Sequence, residues 1–131
     1  MSRRLEDLAP DVQAKARAFL AACEADGIDV LVTCTWRSDA EQEALYAQGR
    51  TTPGRIVTNA KAGQSKHNGL KDGKPSARAL DVVPLSNGKP VWGTDGEAGE
   101  LWQRVGKHGE AAGLEWAGRW TKFREYPHFQ S

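Results

Sequence analysis

Two imidazoles and two carboxylates stand in short stretches far apart in this chain. Ser65-Lys66-His67 runs on to Ala79-Leu80-Asp81, and Glu125-Tyr126-Pro127-His128 lies near the last residue. Together they offer three N/O donors to one divalent cation and one spare acid. A catalytic zinc typically takes three such protein ligands and leaves a fourth position to water, which it acidifies toward neutrality. The spare carboxylate can then handle the proton. That is the chemistry of a small metal-dependent hydrolase, and the remaining residues must bring these groups together.

Each residue also has a plainer reading. Asp81 sits between Ala79-Leu80 and Val82-Val83, an apolar setting in which an ionised carboxylate is costly unless it is paired or bound to a metal; a salt bridge to a nearby basic side chain is the alternative. His67 on its own reads as a surface histidine, and His128, between Pro127 and Phe129, as a core histidine. His108 lies in a helical pattern with no ligand at useful spacing and reads as surface. Glu125 precedes His128 by three residues, so a regular strand would point the two to opposite sides. A kink is required, and Pro127 supplies a reason for one. Arg37 follows a strand and precedes a capped helix, where loops present functional groups. Its planar fork could clamp a carboxylate, or it is an ordinary surface arginine. Trp36, Trp116 and Trp120 are candidate walls for a groove, although aromatic residues are core material by default.

The elements that must position these groups are legible in part. Pro10-Asp11 opens a helix with Val12, Ala16, Phe19, Leu20 and Cys23 on one face and Gly27 just past its end. Ile28 to Thr35 reads as a buried strand, and Ser38 and Glu41 have the spacing of a capping box for a second helix reaching about Gln48. Arg50 to Gln64 reads as a loop. Asp72-Gly73-Lys74-Pro75 is a turn signal, and a hairpin centred near Lys74 would set His67 opposite Asp81 with Cβ atoms about 5 Å apart. Ala79 to Val83 reads as a central strand ended by Pro84. Ser86 to Gly99 reads as a polar connection, and Leu101, Trp102, Val105 and Ala112 suggest a third helix ending at Gly113. Leu114 to Trp116 and Pro127 to Phe129 are expected as short final strands.

A chain of 131 residues suits one domain with one core, so residues 1–131 are read as a single catalytic domain. With 39% hydrophobic and 27% charged residues and no long apolar run, it lacks a membrane span. The basic start has no apolar segment behind it, so no signal peptide is expected. Cys23 and Cys34 fit a reduced compartment as buried thiols. A net charge of +1 argues against a nucleic-acid partner. Arg50 to Arg78 nevertheless holds seven basic residues against one acid, Asp72, and reads as a solvated loop or an anionic-surface contact.

The three motifs resemble the zinc peptidase family that contains D-alanyl-D-alanine carboxypeptidases and phage L-alanyl-D-glutamate endopeptidases. Its pattern is Ser-x-His, Ala-x-Asp, then an acid two residues before Pro-His. Thr35-Trp36-Arg37-Ser38 with Glu41-Gln42 and Leu45-Tyr46, and Gly113-Leu114-Glu115-Trp116 through Trp120 and Phe123, extend the likeness. The resemblance implies an α+β fold of the D-Ala-D-Ala metallopeptidase (hedgehog-like) type, a central antiparallel sheet flanked by about three helices. It implies zinc (Zn2+) on His67, Asp81 and His128, Glu125 as catalytic base, and Arg37 and Ser65 on the peptide, with Trp116 beside them. The implied partner is the peptidoglycan stem peptide, cut at the L-alanyl-D-glutamate bond by a monomeric endolysin held in the host cytoplasm until lysis. Rival readings are a D-alanyl-D-alanine carboxypeptidase and a peptidoglycan-binding module without turnover. A cysteine hydrolase using Cys34 with His67 is disfavoured, because Cys34 lies inside a strand rather than at a helix start.

Overall fold

Pro10 opens helix α1 (Pro10–Ala25) at a position where a missing N–H costs nothing, and the helix buries Val12, Ala16, Phe19 and Cys23 on one face. The computed structural model describes residues 1–131. Strand β1 (Asp29–Cys34) leads to helix α2 (Asp39–Ala47). Its capping box is complete: Glu41 N–H donates to Ser38 Oγ at 3.1 Å and Ser38 N–H donates to Glu41 Oε1 at 2.9 Å. After a long loop come a 3-10 turn (Lys66–Asn68), the small strands β2 (Leu70–Lys71) and β3 (Lys74–Pro75), and the long strand β4 (Ala79–Ser86). Strand β5 (Lys89–Pro90), helix α3 (Gly96–Ala111), strand β6 (Glu115–Trp116), a second 3-10 turn (Ala117–Arg119) and strand β7 (His128–Gln130) complete the chain.

The main sheet is antiparallel in the order β1-β4-β7-β6, with β5 paired to the far end of β4. Leu80 and Phe129 are directly opposite each other and belong, with Val82, to the core that also holds Phe19, Trp102 and Val105. By strand alternation Asp81 and His128 then point to the opposite face. One face therefore packs on α1 and α3 while the other carries the chemistry. The approach of α3 to the sheet is very close: a Cβ on Gly109 would lie 2.3 Å from Phe129, and one on Gly106 would lie 2.3 Å from Trp116. Only glycine fits at those two positions.

Three expectations need correction. The hairpin around Gly73 pairs only Leu70 with Pro75 and Lys71 with Lys74, outside the main sheet, and its left-handed corner is Asp72-Gly73. It does not set His67 opposite Asp81. The residues opposite Asp81 are Cys34 on β1 and His128 on β7. Pro84 does not end its strand, which runs on to Ser86. Val82 N–H donates to Pro127 O, so the nitrogen of Pro84, two residues on, faces the same side beyond the end of β7 and lacks no partner there. Finally, β1 is half exposed rather than buried, with Leu31 36% exposed, because it is the edge of the sheet. The α+β class, the antiparallel sheet and the three helices are as expected from the sequence, although α3 starts inside the stretch read as a connection.

Candidate metal centre and cleft

Asp81 projects from the middle of the sheet between the two histidines. Its Oδ1 lies 3.2 Å from His67 Nε2 and 3.1 Å from His128 Nδ1. His128 reaches it as the cross-strand neighbour. His67 arrives instead from the 3-10 turn, whose cap is Ser65: His67 N–H donates to Ser65 Oγ and Ser65 N–H to Asn68 Oδ1. That turn is tied to the strand end, since Arg37 N–H donates to His67 O at 2.9 Å.

The second ring nitrogen of each histidine is already committed. His67 Nδ1 donates to Thr35 O at 2.7 Å, and His128 Nε2 donates to Gln130 Oε1 at 2.8 Å. Both rings therefore turn their remaining nitrogens toward one carboxylate oxygen, an arrangement that is repulsive between neutral imidazoles and the carboxylate and favourable only with positive charge there, carried by ring protons or by a bound cation. Burial favours neutral His67, yet its hydrogen bonds to Asp81 and Cys34 outweigh that and push it up to about 10. Burial would likewise raise Asp81, but the bonds from His128 and His67 hold its carboxyl well below the usual range. Two nitrogens and an oxygen gathered around a demand for positive charge form a donor set that fits zinc.

Glu125 lies at the edge of this cluster, Oε2 3.8 Å from His128 Nδ1. The expected kink is a tight turn in which His128 N–H donates to Glu125 O, placing both side chains on one side. Trp116 Nε1 donates to Tyr126 O at 2.8 Å and pins the turn from below. Burial raises the Glu125 carboxyl above its ordinary value. Arg37 stands across the site, Nη2 3.8 Å from Asp81 Oδ2, and is held by a 2.9 Å bond from Nη1 to Gln42 Oε1.

Cys34 also meets His67, Sγ to Nδ1 at 3.7 Å, and the donor atoms of Cys34, His67 and Asp81 lie within 4.8 Å of one another. The nitrogen beside the thiol is the one donating to Thr35, so it is protonated and cannot accept the thiol proton. That geometry leaves a Cys34–His67 nucleophile without its base. The thiol sits on the Thr35 edge of the ring, and His128 is the better placed third ligand.

These groups line a cleft of about 1110 Å³. His67, Asp81, His128, Glu125, Arg37 and Ser65 all face it, as does Trp120, whose ring centroid is 5.7 Å from His128. Trp116 does not. It is 1% exposed, packed under α3, so its expected place beside the substrate is corrected to a core role. Trp36 is also off the cleft, with Nε1 donating to Gly69 O, while Trp92, which no motif marked, lines it. His108 is remote and pairs with Asp26.

A family model described as D-alanyl-D-alanine carboxypeptidase matches residues 58–131, the part of the chain that carries His67, Asp81 and His128. The chain belongs to that family of zinc-dependent peptidases. This peptidase is 38% identical over 130 residues to the peptidoglycan L-alanyl-D-glutamate endopeptidase CwlK of Bacillus subtilis, covering 95% of this chain and 73% of the relative. Its fold matches the crystal structure of the Serratia marcescens L-Ala D-Glu endopeptidase ChiX with a TM-score of 0.67 at 21% identity, covering 96% of this chain and 81% of that one.

Several groups that organise the peptidase's site escaped the sequence reading. Gln42 is fully buried; it accepts from Arg37 and donates to Ala60 O at 2.7 Å. Gln130 Nε2 donates to Glu115 Oε2 at 2.9 Å, which fixes its amide so that Oε1 faces His128. An amphipathic pattern shows only that such residues are polar, not what they touch. The basic loop is partly scaffold: Arg50 stacks on Tyr46 at 3.9 Å and donates to Thr58 O and Asn59 Oδ1.

Proposed function

We propose that this peptidase is a zinc-dependent peptidoglycan hydrolase that cuts the stem peptide at the L-alanyl-D-glutamate bond. The observation that carries the reading is the convergence of His67 Nε2, His128 Nδ1 and Asp81 Oδ1, with a half-buried Glu125 alongside in an open cleft. The 38% identity to an enzyme named for that bond favours it over the carboxypeptidase in the family description.

A zinc ion on His67, Asp81 and His128 would supply Lewis acidity toward the peptide carbonyl and toward water. Glu125 takes the proton of the attacking water; burial lifts its carboxyl toward the range where such transfer is efficient. The same carboxyl then delivers that proton to the leaving amine. Arg37, braced by Gln42, orients the peptide and offers its fork to an oxygen carrying negative charge. Ser65, committed as an acceptor in the cap, still has its hydroxyl hydrogen for the peptide.

The test is digestion of purified peptidoglycan with and without a chelator, with mass spectrometry of the fragments. New D-glutamate amino termini that vanish on chelation and return with zinc are expected. Free D-alanine in their place would turn the assignment to the carboxypeptidase. Glu125→Gln should lower kcat by about 10² to 10⁴ while peptide binding persists; unchanged turnover would remove Glu125 as the base. The finer reading, a monomeric phage endolysin held in the host cytoplasm, is supported by the motif resemblance. It predicts lysis of membrane-permeabilised cells and none of intact ones.

A further inference from the structure

The cleft continues past Glu125 into a second cavity of about 560 Å³, which shares Val57, Thr58, Arg124 and Glu125 with it. Ile56 and Phe123 line this cavity and are 57% and 71% exposed. Large apolar side chains left in water inside a concavity are surface kept for a ligand. Phe123 also holds φ at +52°, a conformation that bulky residues rarely adopt.

The charges in the cleft are unbalanced. Arg78, Arg104 and Arg119 each hold a carboxylate elsewhere on the surface. Arg55 and Arg124, both lining the cleft, have no acidic partner, and the only acidic side chains there are Asp81 and Glu125. Arg124 is anchored through Nε to Trp120 O at 3.0 Å, so both terminal nitrogens of its fork are uncommitted.

The route of the proton tells which half of the substrate belongs here, on the reading given under Proposed function. Glu125 serves the leaving amine, so the segment carrying that amine lies on the Glu125 side, where Arg124 is the next residue and lines the cavity beyond. For an L-alanyl-D-glutamate bond that segment begins with glutamate. One of its two carboxyls continues the stem and the other is available. We infer that this cavity is the leaving-group subsite: Arg124 pairs with the free carboxylate of the residue after the cut, and Ile56, Val57 and Phe123 cover its methylenes.

Two synthetic peptides beginning with D-glutamate, one with this carboxylate free and one with it amidated, test the assignment by calorimetric titration of the zinc-loaded protein. The free acid should bind roughly tenfold more tightly, the size of a charge-assisted fork contact. Arg124→Gln should level the two affinities, Arg124→Lys should keep part of the difference, and Arg119→Gln, outside the cleft, should keep all of it. Matched stem-peptide substrates should show the same discrimination in KM with little change in kcat. Equal affinities in the unmodified protein, which needs no variant to fold, or a preference that survives Arg124→Gln, would overturn the subsite. A carboxylate preference in a protein that cuts no peptidoglycan would refute the hydrolase and its leaving-group role, leaving Arg124 only as a carboxylate-binding site. Cleavage without preference would overturn the subsite and leave the hydrolase standing.

Discussion

Gln130 lines the cleft beside His128, and its amide decides which nitrogen of His128 is left for a metal ion. Its Oε1 accepts His128 Nε2–H at 2.8 Å, and its Nε2 donates to Glu115 Oε2 at 2.9 Å. Because a carboxylate only accepts, Glu115 sets the amide orientation and the amide sets the imidazole tautomer. Gln130→Leu keeps the bulk but strands the His128 N–H, and His128 is only 8% exposed. Leaving such a donor unpaired costs about 1–3 kcal/mol. Loss of a histidine's outer partner typically weakens metal binding 10- to 100-fold, or about 1.4–2.7 kcal/mol, so two independent routes give the same size. Competition against a chromophoric chelator should show that drop for Gln130→Leu. The exchange Gln130→Glu with Glu115→Gln restores one donor and one acceptor between the two positions and should recover most of the affinity. A zinc affinity for Gln130→Leu within twofold of the unaltered protein would refute the reasoning.

Gln42→Leu should lower kcat/KM about tenfold, since it removes the acceptor that steadies the Arg37 guanidinium at 2.9 Å; unchanged kinetics would show Arg37 to be braced otherwise. Gly109→Ala, which in most helices stabilises by about 1 kcal/mol, should here lower stability by about 1–3 kcal/mol in urea unfolding. Its Cβ meets the Phe129 ring at 2.3 Å. The Arg78 guanidinium, chiefly through its hydrogen bond, draws the Asp11 carboxyl from 3.8 down to about 2. A depressed folded-state value stabilises above the unfolded one and is lost as pH falls through the folded one. Asp11→Asn should therefore be less stable than the parent above pH 4, and the gap should close as pH approaches 2; a constant gap would contradict the pairing.

Local signals were sufficient where the physics is local. The Pro10 start, the Ser38–Glu41 box and the Gly27 and Gly113 ends reflect contacts a few residues apart, and each element is there. The anomaly of Asp81, a carboxylate among apolar neighbours, was equally visible, because the cost of burying a charge does not depend on the fold. The Asn87-Gly88 corner between β4 and β5, with φ of 51° and 76°, is a hairpin-turn signal inside the stretch that otherwise reads as a polar connection. Trp116 misled because composition cannot say which side of a two-residue strand faces in.

The types of the three candidate metal ligands, their order and the need for a kink before His128 were thus contained in the sequence alone. Which partner each one meets was decided by tertiary structure: strand register put His128 rather than His67 opposite Asp81, and a capped turn swung His67 in from outside the sheet. The physical reason is that residue chemistry is a property of the side chain, whereas register, ring orientation and the openness of a cleft are fixed by packing among segments the chain brings together only on folding.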